Sequence, residues 1–160
     1  MKKLLVLAVA ACASVASAQY GLNDFGFVFS SAVGGSGTND GVTMVITGGD
    51  IGLAGDSEFQ GLAPNTGLLT FDWTYSSIDY GDFDQGYYDV NGGRTVLCNN
   101  DGPFAGSVST GLSAGDALDI GVFTFDGVFG PGILTVTNFN LTPEPASLAL
   151  VAVGLLLRRR

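Results

Sequence analysis

The sequence predicts an all-β protein: a single antiparallel β-sandwich, jelly-roll-like, flanked by an N-terminal signal helix and a short C-terminal hydrophobic helix. Short segments between residues 19 and 142 alternate apolar and polar side chains, as strands with one buried face do. The chain has 25 glycines, and many of them separate these segments as turn residues. No long stretch between the two termini repeats with the 3.6-residue period of a helix.

The clearest predicted strand spans residues 69–76, where Leu69, Phe71 and Trp73 alternate with polar residues. Asn91-Gly92 predicts a hairpin, because both residues tolerate the positive φ of a type I′ turn. In the last segment the apolar parity changes between Val136 and Phe139, which predicts a β-bulge. In chain order, the predicted strands are 25–30, 42–46, 69–76, 87–90, 94–98, 106–110, 117–125 and 133–141. About eight short strands without a repeat fit a sandwich better than a solenoid.

The N-terminal segment has the three parts of a secretory signal peptide. Lys2 and Lys3 are basic, residues 4–13 are apolar, and Ala16-Ser17-Ala18 is a cleavage motif, so signal peptidase would leave Gln19 as the first residue. A second interpretation is a lipoprotein signal cleaved before Cys12. In either case residues 1–18 stand apart from the fold. Residues 19–142 are long enough for one domain with its own core.

The C-terminal eighteen residues form a second segment apart from the fold. Pro143-Glu144-Pro145 cannot continue a helix and favours an extended chain, 146–157 is an apolar run, and Arg158, Arg159 and Arg160 end the chain. Basic residues after an apolar helix keep that end cytoplasmic, so the preceding domain is predicted to lie outside. Twelve apolar residues are fewer than the ~20 of a full span, so insertion would need arginine snorkelling or local thinning of the bilayer.

This tail resembles the PEP-CTERM sorting signal. The resemblance implies recognition of Pro143, Glu144 and Pro145 by an exosortase-type membrane enzyme, with residues 146–157 as the membrane anchor and the arginines as a basic stop. It further implies an exported protein that is held at the inner membrane during sorting and then reaches the cell surface or extracellular matrix.

The second half of the domain also resembles, more loosely, the ectodomains that precede such tails, which are thought to be β-sandwiches. The matching pieces are Phe71-Asp72-Trp73, Tyr75, Asp79, Gly86-Tyr87, Asn91-Gly92, Ala114-Gly115-Asp116, Asp126 and 134–139.

The charge of the domain excludes nucleic-acid binding. Between residues 19 and 142 the sequence holds thirteen aspartates and Glu58 against one basic residue, Arg94. Such a surface repels phosphates and attracts cations. Cys98 is the one cysteine in this range, so no disulfide can form within the mature domain.

The sequence predicts no catalytic activity. Without histidine, and without lysine after residue 3, it lacks the nucleophile and base pairs of common hydrolases. Two carboxylates suffice for glycoside hydrolysis, but with fourteen carboxylates some close pair is expected without a functional reason.

Four aspartates within residues 79–89 indicate structural calcium, because calcium binds carboxylate and carbonyl oxygens of glycine-bearing loops. The predicted ligands are Asp79, Asp82, Asp84 and Asp89, with contributions from residues 99–101 and Asp126. The alternative is that these aspartates are ordinary turn residues.

Tyr80, Tyr87 and Tyr88 lie in the same segment and would suit stacking on sugar rings. Two hypotheses for function therefore remain. The first is an exported structural or adhesive surface protein. The second is a secreted module that binds carbohydrate such as exopolysaccharide and is stabilised by calcium.

Overall fold

The computed structural model describes residues 19–79, 83–99 and 102–144. The predicted signal peptide and the tail from Pro145 onward lie outside these residues, as do Tyr80, Asp82 and residues 100–101. Within the described part of the chain, no helix is long and apolar enough to cross a membrane.

In the described part of the chain, ten antiparallel strands form two five-stranded sheets, after a 3-10 turn at Leu22–Phe25. The strands are β1 (Val28–Ser31), β2 (Ser36–Asn39), β3 (Met44–Thr47), β4 (Gly55–Leu62), β5 (Gly67–Ser76), β6 (Asp84–Val90), β7 (Gly93–Cys98), β8 (Phe104–Leu112), β9 (Ala117–Thr124) and β10 (Ile133–Pro143). Sheet I has the order β1-β4-β9-β6-β7, and sheet II has the order β2-β3-β10-β5-β8. The domain is an all-β sandwich.

Strands β3 to β10 pass between the two sheets with the connectivity of an eight-stranded jelly roll, and β1 and β2 add one edge strand to each sheet. Because a strand places alternate side chains on opposite faces, each sheet contributes every second residue to the core. Strand β9 shows this directly: Leu118, Ile120 and Val122 are fully buried between the sheets.

The core between the sheets is rich in aromatic rings near strand β1. Phe25 packs edge-on against Phe139, with ring centroids 4.9 Å apart, and Phe29 packs against Phe59 at 5.2 Å. Phe71 stacks against Phe139 at 6.0 Å and so connects this cluster to the centre of sheet II. Such aromatic pairs add packing energy beyond the area that they bury.

The sandwich has two ends that differ in what they carry. Both termini of the domain lie at the end we call basal, where Tyr20 pairs with Leu141 and β10 ends at Pro143. The first residues of β4 and β6 pair with the last residue of β9 at the opposite, distal end. The described chain therefore enters and leaves at the same end.

The hairpin and the bulge predicted from the sequence are both present. Asn91 and Gly92 join β6 to β7 with φ of 54° and 83°, as a type I′ turn requires. The pairing of β10 with β5 shifts register between Thr137 and Asn140, and Asn138 has a φ of 52°. The bulge lets residues on both sides of it keep their apolar side chains in the core.

The prediction of about eight strands was wrong by two, since β2 and β4 were missed. Strand β2 reads Ser-Gly-Thr-Asn and lies at a sheet edge, where little burial is required. Strand β4 has one large buried apolar side chain, Phe59, among polar residues and glycines. The start of the first predicted strand was also wrong, because Phe25 belongs to the 3-10 turn.

Candidate binding site

The outer face of sheet I carries most of the charged side chains that lie on the strands of the described residues. Asp56, Glu58 and Gln60 alternate with the inward residues Ser57 and Phe59 on β4. By the same alternation, this face receives Asp119, Gly121 and Phe123 from β9, Gln85, Tyr87 and Asp89 from β6, and Arg94 and Val96 from β7. Side chains on paired strands are better fixed than side chains on loops.

Tyr87 lies flat at the centre of this face. A Cβ at Gly121, the residue opposite on β9, would come within 2.7 Å of the Tyr87 hydroxyl oxygen, so the ring needs a glycine there. The ring is fully buried and its hydroxyl donates a hydrogen bond to Glu58 Oε2. Burial and then this hydrogen bond raise the pKa of Tyr87, so it stays neutral and remains a donor.

Arg94 covers the other side of the Tyr87 ring. Its Cζ is 3.6 Å from the ring centroid, a cation–π contact. Its Nη2 also lies 3.0 Å from Asp56 Oδ1, which is close enough for an ion pair. The geometry is not that of a hydrogen bond, because Asp56 Oδ1 has no hydrogen-bond partner among the described residues. Both side chains are about one third exposed. The guanidinium is therefore fixed on two sides and open to solvent on the rest.

Gln60 extends this network towards the basal end. Its Nε2 donates to Glu58 Oε1 at 2.8 Å, so the two carboxylate oxygens of Glu58 accept from Gln60 and Tyr87. Gln60, Glu58, Tyr87, Arg94 and Asp56 thus form one connected row of polar groups across the sheet. We call these five residues the polar row.

Two aspartates lie directly opposite each other beside the polar row. Asp89 on β6 and Asp119 on β9 are Cα partners and point to the same outer face. Like charges in this arrangement destabilise a sheet. Burial, then Glu58 and Asp89, raise the pKa of Asp119. Asp89 is 8% exposed, and its Oδ1 has no hydrogen-bond partner among the described residues.

An open groove of about 530 Å³ lies next to these groups at the basal half of the face. Its polar lining residues are Gln60 and Asp119, and its apolar walls come from Phe25, Leu62 and Ala117. Asp119 therefore belongs to both the groove and the acid pair. The groove provides room for a ligand chain beside a fixed set of donors and acceptors.

Sheet II also has a polar depression, of about 300 Å³, but both carboxylate oxygens of Asp72 in it already accept hydrogen bonds. Asp72 accepts hydrogen bonds from Ser107 at 2.5 Å and from Asn138 at 2.7 Å, one on each oxygen. The Asn138 and Ser107 hydrogen bonds lower the pKa of Asp72. The outer face of sheet I is the better candidate site.

Of the four aspartates predicted to bind calcium, the described residues Asp84 and Asp89 do not lie together. Asp84 and Asp89 both lie on β6, but five positions apart they face opposite sides of sheet I. Asp79 and Asp84 are both buried at the distal end, while Asp82 lies outside the described residues. Among residues 19–79, 83–99 and 102–144, no three His, Cys, Asp or Glu side chains are placed to share a metal ion. The expectation of one loop over residues 79–89 was wrong because β6 begins at Asp84.

Asp84 instead belongs to a buried polar cluster inside the distal end of the sandwich. Ser77 donates to its Oδ2 at 3.3 Å, and Thr124 is its Cα partner on β9. Its Oδ1, the Tyr75 hydroxyl and Thr124 Oγ1 have no hydrogen-bond partner among the described residues. Burial raises the pKa of Asp84 and of Tyr75, so both groups favour their neutral forms.

The three tyrosines predicted as a sugar platform do not form one. Tyr87 is fully buried beneath Arg94, and Tyr88 faces the core, where its ring packs edge-on against Phe71 at 5.9 Å. Tyr80 lies outside the described residues. Tyr87 and Tyr88 are adjacent residues of β6, and adjacent residues of a strand point to opposite faces of the sheet. The two rings therefore cannot form one platform.

Most of the residues that form this face were not among the site residues predicted from the sequence. Asp56, Glu58 and Gln60 were overlooked because β4 was not recognised as a strand, although every second residue of it is polar. Asp119 had a usable signal, since it is the one charged residue within the otherwise apolar β9 segment. The pairing of Asp119 with Asp89 depends on strand order, which the sequence pattern does not specify.

No protein-family model matches this chain, and no curated protein matches it. Similar solved structures include the secreted serine protease VesC from Vibrio cholerae, at 13% identity and a TM-score of 0.47, over 67% of this chain and 22% of VesC. They also include a point mutant of a family 29 carbohydrate binding module, at 12% identity and a TM-score of 0.45, over 82% of this chain and 95% of the module. The mannan binding module from Man5C matches at 14% identity and a TM-score of 0.43, over 78% of this chain and 99% of the module. At TM-scores below 0.5, these similarities assign neither a family nor a ligand to this chain.

Replacing Asp119 with asparagine should stabilise the protein at neutral pH. The pKa of Asp119 is raised above its usual 3.8 in the folded protein, so folding favours the protonated form. The free energy of unfolding that this preference contributes is fully present below pH 3.8 and is lost as the pH rises through the folded pKa. Asparagine removes the charge, so we expect a gain of about 0.2–1 kcal/mol at neutral pH, kept small by solvent screening. Thermal unfolding at neutral pH and below 3.8 measures this, and the gain should shrink in acid.

Asp50→Asn is the matched control, since it removes the same charge at an exposed position. A melting temperature of Asp119→Asn that is no higher than that of Asp50→Asn at neutral pH would show that the pair of Asp89 and Asp119 does not destabilise the protein.

Proposed function

We propose that this chain is an exported carbohydrate-binding protein and that it binds its ligand on the outer face of sheet I. The polar row and the adjoining groove form the binding surface. The observation that carries this proposal is the connected network from Gln60 through Glu58 and Tyr87 to Arg94, which is fixed on strands beside an open groove.

The chemistry of these groups suits a ligand rich in hydroxyls. Carboxylates accept, arginine donates and glutamine does both, so together they can match the donor and acceptor of each sugar hydroxyl. Planar side chains such as Arg94 and Gln60 bond two neighbouring hydroxyls at once. Glu58 holds Gln60 by a hydrogen bond, and the Tyr87 ring and Asp56 hold Arg94. Both side chains are therefore in place before a ligand arrives, which lowers the entropy cost of binding.

The shape of the groove suits a section of a long chain. It is open rather than enclosed, and Leu62, which is 59% exposed, gives it an apolar wall. Sugar rings present C–H groups on their faces and hydroxyls at their edges. An apolar wall with Gln60 and Asp119 beside it matches both surfaces of such a ring. A polysaccharide outside the cell is the ligand class that we propose.

We propose further that the C-terminal tail sorts this domain to the cell surface through an exosortase-type enzyme. Pro143, the first residue of the sorting motif, pairs with Gly67 at the end of β10, and the Glu144 N–H donates to Thr66 O at 3.3 Å. The motif therefore begins at the last residue of β10, with no linker between them. On the proposed route, the basal end would face the membrane while the tail is in place.

The distal end would then point away from the membrane, and it exposes large apolar side chains. Those side chains are Ile51, Leu53, Ile78, Phe83, Phe125, Val128 and Phe129. An apolar surface at the far end from the tail is what the second candidate function, a structural or adhesive surface protein, would need. The two functions are compatible, since a sorted surface protein can also hold polysaccharide.

Replacing Gln60 with alanine should weaken polysaccharide binding about three- to tenfold, because it removes a neutral hydrogen-bonding side chain worth about 0.5–1.5 kcal/mol. Binding of the purified protein to immobilised plant, fungal and bacterial polysaccharides, measured by depletion from solution, tests this. Thr74→Ala on the outer face of sheet II is the control and should bind as the parent does. Equal loss in both variants, or no binding to any polysaccharide, would contradict the proposed site.

Mass spectrometry of the terminal peptides tests the delivery route. In the native host, the surface fraction should contain protein that begins at Gln19 and lacks the segment after the sorting motif. A strain without its exosortase should retain Arg160 in the membrane fraction. Arg160 retained in both strains would contradict sorting by this route.

A further inference from the structure

Asp89 lies between two cross-strand partners, Asp119 on β9 and Arg94 on β7. The Arg94 guanidinium lies against Asp56 and the Tyr87 ring, so among the described residues it forms no ion pair with Asp89. Like charges directly opposite each other, such as those of Asp89 and Asp119, destabilise a sheet. The two residues are Cα partners on β6 and β9, the strands at the middle of sheet I. Asp89 is more than nine-tenths buried on the same face as Asp119, and its Oδ1 has no hydrogen-bond partner among the described residues. A buried carboxylate oxygen without a partner is costly.

Arg94 does not compensate this pair fully. It is the one Lys or Arg in the sequence between residues 19 and 144, and its guanidinium is committed to Asp56 and to the Tyr87 ring. Four carboxylates, those of Asp56, Glu58, Asp89 and Asp119, therefore share one positive charge on this face. At neutral pH the face carries a local excess of negative charge.

This charge selects among carbohydrates. An anionic polysaccharide that carries uronate or sulfate groups would meet repulsion from the face and from the whole acidic domain. A neutral polysaccharide would leave the acid pair uncompensated. A polysaccharide with free amino groups would bring an ammonium to Asp119, which lines the groove, and Asp89 is the cross-strand neighbour of Asp119 on β6.

An ammonium fits better than a metal ion. The described residues hold no group of three or more His, Cys, Asp or Glu side chains placed for a metal, and calcium takes six to eight oxygens. An ammonium has three N–H donors and one charge, so one carboxylate contact and a second negative charge nearby satisfy it. Gln60, the cross-strand partner of Asp119 on β4, can bond the neighbouring hydroxyl.

We propose that the groove is specific for amino sugars with a free ammonium group, which contacts Asp119 while Asp89 supplies a second negative charge from beneath the surface. This inference rests on the proposed carbohydrate-binding function and names its ligand class. Binding repays the cost of the acid pair, so the site is less stable when empty and more stable when occupied.

The test compares three hexasaccharides by calorimetric titration of the purified protein: a β-1,4-glucosamine hexamer, its fully N-acetylated form and cellohexaose. The glucosamine hexamer should bind at least tenfold more tightly than the other two at mildly acidic pH, where its amines are charged. Raising the pH until the amines are neutral should remove that advantage. This pH experiment needs no variant, so it does not depend on the folding of a mutant.

Two variants locate the contact. Asp119→Asn should reduce the affinity for the glucosamine hexamer at least tenfold and bring it close to that for cellohexaose, and Asp89→Asn should reduce it less. Asp50→Asn, at an exposed site away from the groove, should bind as the parent does. Hexalysine should not compete, because a peptide lacks the sugar hydroxyls that Gln60 and Glu58 bind.

Different results would contradict the amino-sugar proposal alone or the carbohydrate-binding proposal as well. Equal binding of all three hexasaccharides would overturn the amino-sugar inference and leave the carbohydrate site standing. Competition by hexalysine, or equal loss in Asp50→Asn, would show attraction by net charge alone and overturn the inference. Binding of none of the hexasaccharides would overturn both proposals together.

Discussion

The placement of one ring, Tyr87, organises the outer face of sheet I. Gly121 leaves the space in which the ring lies flat, and Arg94 closes over it at 3.6 Å. With the ring in that position, its hydroxyl reaches Glu58, and Glu58 in turn holds Gln60. Three strands are thereby cross-connected by side chains on the solvent side of the sheet. A side chain at position 121 would displace the ring and separate the arginine from the acids that surround it.

Charge gives this face its chemical character. The core of the sandwich consists of the apolar residues between the sheets, and the acids on the outer face are not part of it. Asp89 and Asp119 instead oppose each other on the two middle strands, an arrangement that lowers the stability of a sheet. Costs of this kind are common at binding sites, where residues are selected for ligands rather than for stability. The same excess of acid explains why a cationic group, rather than an anionic one, is the expected partner.

The sequence was sufficient for the fold class and for its most regular parts. Alternation identified β5, and Asn91-Gly92 identified the turn of the β6–β7 hairpin, because both signals are local. Strand β4 escaped notice because its inward positions are filled by serine, phenylalanine and glycine, which give little apolar contrast. The site could not be predicted, since the neighbours of Tyr87 come from β4, β7 and β9, and their order in the sheet is a property of the whole chain. The aspartates of residues 79–89 were grouped by their spacing in sequence, whereas strand alternation separates Asp84 from Asp89.

We propose the outer face of sheet I as the ligand-binding surface, and two-dimensional NMR of the ¹⁵N-labelled protein, titrated with the glucosamine hexamer and with cellohexaose, tests this proposal. We expect shifts of the backbone amides of Glu58, Gln60 and Asp119, with those of Asp72 and Ser107 on sheet II unchanged. Shifts confined to Asp72, Ser107 and their neighbours, or the absence of any shift at saturating ligand, would contradict it.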